Sequence, residues 1–477
     1  MRARRGDMND LVITAFLGPA RTAGQAWAAL GLSARLVVIG RLRGLVARDA
    51  TTLAATVART PVDTLVAEVL PLAEAARFLL RRAPALLAPR RPRGGRPLWL
   101  FGVRTRIHRE PCGAMLILAP SNYPLFLPGA QALQALAAGN AVCVKPAPGC
   151  EAPMRALAGL LREAGLPDGV FQVLDPAAGE AAVRAGFDHI VLTGSAETGQ
   201  HVLAAAAATL TPTTMELSGS DAVFVLPGAD LELVAACLAY GLRLNGGATC
   251  IAPRRVFVMH GDAAGLEAKL LARLPAIPSA TVLPPTAARL STLVDLAVAE
   301  GARLASSGIG RPMVVANARP SMALLQQDVF APWLALVPAA SPEAALAAAA
   351  DCPYALGASV FGPPAAAQAM ARQVRAGSVC INDLIVPTAD PRLPFGGRGR
   401  SGFGSTRGAE GLLGMTIVKT VSERRGRLRP HLATATANDM ARFAAMTALL
   451  HGDWRTRWTA LQGIIAPSRH APPRQPD

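Results

Sequence analysis

Apolar and polar positions change period twice along the chain. From about residue 20 to 90 the apolar positions recur at helical spacing in alanine-, leucine- and arginine-rich sequence. Leu70, Leu72, Ala75, Phe78, Leu79 and Leu80 are expected to share one buried face. Proline and arginine from Ala88 to Pro97 mark a boundary, and Leu98 to His108 reads as extended or hairpin. From Gly113 short apolar runs alternate with helical segments. Strands are predicted at Ala114–Leu118, Ala141–Val144, Phe171–Leu174 and His189–Thr193, with helices at Gly129–Ala138, Met154–Ala164 and Glu180–Ala185. The pattern restarts at Ala222–Val225 with a helix near Asp230–Arg243 and a strand at Val256–Met259. Further α/β material is expected through Val282, Met313–Val315 and Leu334–Pro338, with strands at Ala358–Phe361 and Val379–Asn382, a helix at Glu343–Ala350, and a late strand at Met415–Val421. This alternation predicts an α/β fold with mostly parallel sheet. In such sheets ligands bind beyond the carboxyl ends of the strands, where Asn122, Lys145 and Gly194-Ser195 fall.

Two segments invite a membrane reading. Pro111 to Val144 contains no charged residue, but Pro120, Pro124 and Pro128 interrupt it, so a buried strand, loop and helix are expected instead. After the basic stretch Arg424–Pro430, one helix is predicted with Met440, Phe443, Leu450, Trp454, Trp458 and Leu461 largely on one side. A basic flank beside a tryptophan-bearing apolar face suits peripheral contact with a membrane surface. Packing against its own protein is the commoner use of such a face.

Composition narrows the class. At 477 residues, 51% hydrophobic and 17% charged, the chain can build more than one large core. Seven cysteines without paired spacing argue for a reducing, cytoplasmic setting, and no Cys/His cluster suggests a metal. The net charge of +16 would suit a polyanion, but only 4% of residues are aromatic and no recognition motif accompanies it, so no nucleic-acid partner is expected.

The chemistry is carried by a few residues. Gly246-Gly247-Ala248-Thr249 delivers Cys250 into a tight backbone approach, the usual form of a loop shaped round a ligand. Taken alone, such a cysteine is more often a small buried hydrophobe. Met215-Glu216-Leu217 sets a carboxylate in an apolar run, where it is either satisfied by hydrogen bonds or poised for proton transfer. Thr193 to Gly199 runs from a strand into a helix with small residues, as a phosphate-binding turn does, although the GxGxxG fingerprint is absent.

Together these motifs resemble the aldehyde dehydrogenase superfamily from about residue 20 to 422. The resemblance is carried by Ala119–Leu125, Gly139–Pro146, Thr193–Gly199, Met215–Leu217, Gly247–Cys250 with Arg255 and Val258, Asp328–Pro332 and Pro394–Gly397, all in the family's order. It implies NAD- or NADP-dependent oxidation of an aldehyde to a carboxylic acid. Cys250 would be the nucleophile, Asn122 an oxyanion donor and Glu216 the base that activates water. Lys145, Gly194, Ser195, Gly199, Asp328 and Phe330 would bind the cofactor. It further implies a Rossmann-like cofactor domain over 1–218, interrupted by an oligomerisation hairpin at 97–112, an α/β catalytic domain over 219–412, an oligomerisation strand at 413–423 and an extra basic tail at 424–477. A homodimer or homotetramer follows from that arm. A coenzyme-A-acylating enzyme and a catalytically silent membrane- or polyanion-bound scaffold are the rival readings. The chain departs from the family's pattern at Pro148, where NAD-preferring members often carry glutamate, at Asp328 for glutamate, Ala331 for glycine, Ala248 for glutamine and Ser220 for lysine.

Overall fold

The computed structural model describes residues 2–97, 100–306, 308, 310–427, 429–432, 434 and 436–465; of the expected Leu98–His108 segment, Leu98 and Trp99 lie outside them. The chain forms two compact units, one of Met1–Pro92 with Arg106–Val421, the other of Arg93–Thr105 with Ser422–Asp477.

The larger unit holds two sheets. In the first, the strands lie in the order Gly402–Phe403, Thr213–Leu217, His189–Gly194, Ala114–Leu118, Ala141–Lys145, Phe171–Val173. All neighbours are parallel except the edge piece Gly402–Phe403. The order reverses at Ala114–Leu118, whose chain neighbours lie on one side and later strands on the other. The crevice expected at such a switch point opens beyond Leu118 and Gly194. The second sheet runs Ser378–Ile381, Gly357–Phe361, Asp221–Val225, Pro253–Met259, Trp333–Ala339, Met313–Ala316, Arg303–Ser306. Only Arg303–Ser306 pairs antiparallel.

Strand alternation builds the cores. Met115 and Ile117 enter one apolar cluster while Ala114, Leu116 and Leu118 enter another on the opposite face. Likewise Phe224 and Phe257 face one cluster of the second sheet and Val223, Val225, Val256 and Val258 the other. Both sheets are therefore covered on both faces, which explains their continuously apolar strands.

The chargeless run from Pro111 folds as read, into a strand, a loop and the helix Phe126–Ala138, whose thirteen residues are all buried. The helix sits so close to Leu72 that a Cβ on Gly129 would lie 3.0 Å from Leu72 Cδ1. One expectation changes here. Leu70 does not join the Leu72–Leu79 face but is 58% exposed, because steps of about 100° per residue place it opposite Leu79.

In the smaller unit the tail forms two helices, Ala437–His451 and Trp454–Ile465, not one. Gly452 and Asp453 break the run, and Asp453 Oδ1 accepts from Thr456 N at 2.8 Å as the cap of the second helix. Met440, Phe443, Trp454 and Trp458 are exposed.

Candidate active site

Two cavities of the larger unit share Cys250 and Glu216 as walls. The first, about 270 Å³, is lined by Pro120, Ser121, Asn122, Gly194, Ser195, Ser218, Asp328 and Phe330 among others. The second, about 330 Å³, is lined mostly by apolar and aromatic side chains, including Val66, Tyr123, Phe126, Leu127, Tyr240, Ile251, Ile385 and Phe395. The first shares Pro120, Thr193 and Gly194 with a broad open groove that contains Lys145, Thr198 and His201.

Cys250 reaches this position through a left-handed turn. Asn245, Gly246 and Gly247 have φ of 51°, 58° and 72°, a conformation that favours glycine and that asparagine tolerates. A Cβ on Gly247 would lie 2.4 Å from the Ala331 carbonyl oxygen, so any larger residue there would push the loop away. Buried Arg254 clamps the turn: it donates to Gly247 O at 2.5 Å, Ala331 O at 2.7 Å and Trp333 O at 3.0 Å. The substitution at position 248 finds an explanation here. Asn122 Nδ2 donates to the Ala248 carbonyl at 3.1 Å and Asn245 Nδ2 to the same oxygen at 3.0 Å. The contact uses the backbone, so it does not depend on the side chain at this position.

Asn122 is held from a third direction that sequence reading missed. Arg59 donates to the Asn122 carbonyl, stacks over the Tyr123 ring at 4.9 Å and pairs with Glu68 at 3.3 Å. Glu68 is fully buried and accepts from Leu125 N at 2.7 Å and Phe126 N at 3.1 Å. It thus satisfies the free N–H groups that open the Phe126–Ala138 helix. Tyr123 completes the link, its hydroxyl 2.9 Å from Thr249 Oγ1 beside the cysteine. Glu68 lies in a π-helical turn, Leu65–Val69. Such turns often mark functional segments, but no sequence pattern signals this one.

Glu216 lies in the strand Thr213–Leu217 and is 2% exposed. The glycine-rich loop folds over it: Gly402 pairs with Glu216 in register, and a Cβ on Gly402 would lie 2.0 Å from Met215 O. This brings Thr406, whose hydroxyl donates to Glu216 Oε2 at 2.5 Å. Arg407 follows, buried against Phe395 with its guanidinium 4.2 Å from the ring centre. Glu216 Oε1 has no hydrogen-bond partner.

Burial dominates the electrostatics. It drives the Cys250 thiol pKa well above its ordinary value; Glu216, Asp221 and Asp328 push the same way and Arg407 opposes them. The resting group is a neutral thiol. Glu216 is raised by burial too, countered by Arg407 and the Thr406 hydroxyl. A thiol and a carboxylate of raised basicity that wall the same two cavities are groups suited to proton transfer. Asp221, which accepts from Gly357 N at 3.0 Å, is raised to about 7 by burial, and Asp328 to about 6 for the same reason.

Of the nine residues singled out in sequence, Cys250, Glu216, Asn122, Gly194, Ser195, Asp328 and Phe330 line the first cavity. Lys145 stands in the adjoining groove, where burial lowers its pKa. Gly199 is different. A Cβ on it would lie 2.7 Å from Leu217 Cδ1, so its role in the structure is to let the Ala196–Ala206 helix pack on the sheet. The first cavity and groove suit an elongated, hydroxyl-rich ligand carrying phosphates. The Asp328 carboxylate and the Ser218 hydroxyl border the first cavity together, the hydroxyl opposing the rise that burial gives Asp328, and Ser195 opens the Ala196–Ala206 helix as its N-cap. Among the described residues no Cys, His, Asp and Glu group is arranged to hold a metal ion.

The profile of the aldehyde dehydrogenase family matches residues 7–421. The chain is 30% identical over 410 residues to a 4,4'-diapolycopene aldehyde oxidase of Methylomonas sp., covering 82% of this chain and 77% of that one. It is 32% identical over 381 residues to a protein of Pseudomonas aeruginosa described as a probable coniferyl aldehyde dehydrogenase, covering 76% and 80%. A solved structure of aldehyde dehydrogenase C from Pseudomonas syringae, in complex with NAD+ and octanal, superposes with a TM-score of 0.79 at 28% identity over 86% of this chain and 89% of that one.

Proposed function

Starting from a chain that belongs to the aldehyde dehydrogenase family, we propose that it oxidises apolar aldehydes admitted through the second cavity, with Cys250 as nucleophile. The reaction class, oxidation of an aldehyde to a carboxylic acid with NAD or NADP, is that of the family. The observation that carries the residue roles is that Cys250 and Glu216 form the shared wall of two largely apolar cavities, of which the first adds the polar side chains of Ser121, Asn122, Ser195, Ser218 and Asp328. The first offers those groups to a cofactor and the second an apolar wall to a substrate.

Glu216 takes the Cys250 proton, and the thiolate adds to the aldehyde carbon to form a thiohemiacetal. The Asn122 side-chain amide, held by Arg59 and Asn245 through its own backbone, donates to the developing oxyanion. Bound NAD or NADP supplies the hydride acceptor; Ser195, Asp328, Phe330 and Lys145 are the residues offered to hold it. Once it has given the Cys250 proton to solvent, Glu216 takes a proton from water, whose oxygen attacks the thioester carbon and releases the acid and the Cys250 thiolate. The presence of Glu216 favours water over coenzyme A as the acyl acceptor. The exposed Pro148 presents no carboxylate to oppose a ribose 2′-phosphate, so NADP is admitted beside NAD.

The substrate class follows from the second cavity's wall. Its charged lining residues include Asp63, Glu216, Arg243 and Arg407; Asp63 and Arg243 pair at 3.4 Å and Arg407 is opposed by Glu216, so neither cation stands unopposed. Aliphatic or aromatic aldehydes should therefore exceed succinic semialdehyde in kcat/KM by tenfold or more, in a panel run with NAD and with NADP. Unchanged NAD(P)H production by Cys250→Ala would overturn the residue assignment, and the acid as sole product in the presence of coenzyme A would exclude the acylating reading.

Two features outside the site support an assembly and a location. Ile417, Val418 and Val421 are exposed on one strand, an apolar edge suited to a second copy of the chain; light scattering showing only monomer would remove that reading. The exposed Trp454 and Trp458 stand beside Arg455 and Arg457, which suits a cytoplasmic enzyme resting on an anionic membrane face. Among the described residues no helix is long and apolar enough to cross a membrane. Sedimentation with phosphatidylglycerol vesicles, lost when both tryptophans become glutamine, is the expected result.

A further inference from the structure

Cys250 and Glu216 wall the same two cavities, with Asp328 lining one of them and Tyr123 the other, and the fields of Glu216, Asp221 and Asp328 reach the Cys250 thiol. A dry site cannot hold a thiolate and a carboxylate together unless a cation stands close to both. Arg254 is committed elsewhere: it clamps the Gly247 turn by three carbonyls and its charge faces Asp328 and Asp221. Arg407 is not so committed. Its guanidinium lies over Phe395 at 4.2 Å and near Phe126 at 5.7 Å, donates to the Thr388 carbonyl, and leaves Nε without a partner. It also lines the cavity that contains Cys250 and Glu216.

We propose that Arg407 is the fixed cation of the reaction chamber, a positioning residue that balances the negative charge carried first by the Cys250 thiolate and later by the Glu216 carboxylate. The proposal rests on Cys250 and Glu216 being nucleophile and base. Arginine is suited to the task because it keeps its charge when buried and its planar group is fixed by stacking. The burial that raises both Cys250 and Glu216 is opposed at each of them by this same guanidinium. No bond to Arg407 forms or breaks. When the thiol ionises, its proton passes to Glu216, which releases it to solvent once the hydride has left and the thioester stands; when the thioester is hydrolysed, one water proton passes to the regenerated Glu216 carboxylate, the water oxygen bonds to the acyl carbon and the C–S bond breaks, returning the Cys250 thiolate. Arg407 faces whichever of the two groups is ionised.

The test is the pH dependence of Cys250 alkylation by iodoacetamide, with the site resolved by peptide mass mapping, in the full chain and in Arg407→Met, Arg407→Gln and Arg407→Lys. Alkylation follows the thiolate fraction. Both neutral variants should shift the midpoint upward by one unit or more, about a tenfold slower reaction below it, and Arg407→Lys should restore most of the shift. Gln is included because it can still donate to the Thr388 carbonyl, so a shift caused only by lost packing would be smaller in Gln than in Met. Profiles of Met and Gln that overlay the parent, or a Lys variant displaced as far as Met, overturn the proposal. Failure of Cys250 alkylation to abolish aldehyde oxidation would instead overturn the nucleophile assignment on which it rests.

Discussion

Replacing Arg59 by methionine should unsettle both the fold and the reaction. Arg59 and Glu68 are 10% and 0% exposed and 3.3 Å apart, a separation worth about 5 kcal/mol of attraction at an effective dielectric near 20. Most of that offsets desolvation, since burial still leaves the Glu68 pKa raised. Removing only the cation leaves a buried carboxylate facing two backbone N–H groups, and breaking such a pair from one side costs about 3–5 kcal/mol. Arg59→Met should therefore lower the urea midpoint sharply at fixed protein concentration. Arg59→Met with Glu68→Gln should recover a large part, because a neutral amide still accepts from Leu125 N and Phe126 N. Asn122 loses one of its backbone anchors in both, so kcat should fall about tenfold even in the recovered double variant, less than when the amide itself is removed. A single variant within 1 kcal/mol of the parent, or additive effects in the double variant, would refute the reasoning.

Asn122→Ala should reduce kcat by about 10²–10³ with a smaller change in KM, measured on the best aldehyde of the panel. Pro148→Glu should lower kcat/KM with NADP while leaving NAD nearly unchanged, because a carboxylate there would repel the 2′-phosphate and accept from a 2′-hydroxyl. Asp221→Asn tests the raised carboxyl. Its folded pKa, about 7, stands above the unfolded value, so the ionised form is penalised on folding and the parent loses stability as pH rises from about 4 to 7. The thermal midpoints of parent and variant should be closest near pH 5 and diverge in favour of the variant by pH 8.

The strand and helix alternation was readable because each strand feeds two apolar clusters at once, leaving runs such as Ala114–Leu118 without a polar residue. The candidate reacting groups were readable for a related reason: a carboxylate in Met215–Leu217 and a cysteine after two glycines are costly anomalies that call for a use. Their supports were not. Glu68 reaches the Phe126–Ala138 helix across 57 and 58 residues of sequence, and Thr406 reaches Glu216 across 190. Nothing in the local pattern of an alanine-rich helix or a glycine-rich loop announces a partner that distant. Gly199 shows the converse. A glycine at a strand-to-helix turn can serve a phosphate, a helix contact or both, and the local sequence does not show that Leu217 lies against this one.

The same long-range contacts explain why the departures from the family's pattern are tolerated unequally. Position 248 contributes a carbonyl to Asn122 and Asn245, so alanine retains the geometry. Position 331 contributes a carbonyl to Arg254, and again the side chain is free to vary. Position 328 has no such backbone substitute. Its buried carboxylate lines the first cavity beside Ser218, and in the proposed role a side chain one methylene shorter than glutamate meets the cofactor's hydroxyls from further back. Asp328→Glu should accordingly tighten KM for the cofactor with little effect on alkylation of Cys250, and a variant that instead lost cofactor affinity would mean that the chamber has closed around the shorter reach.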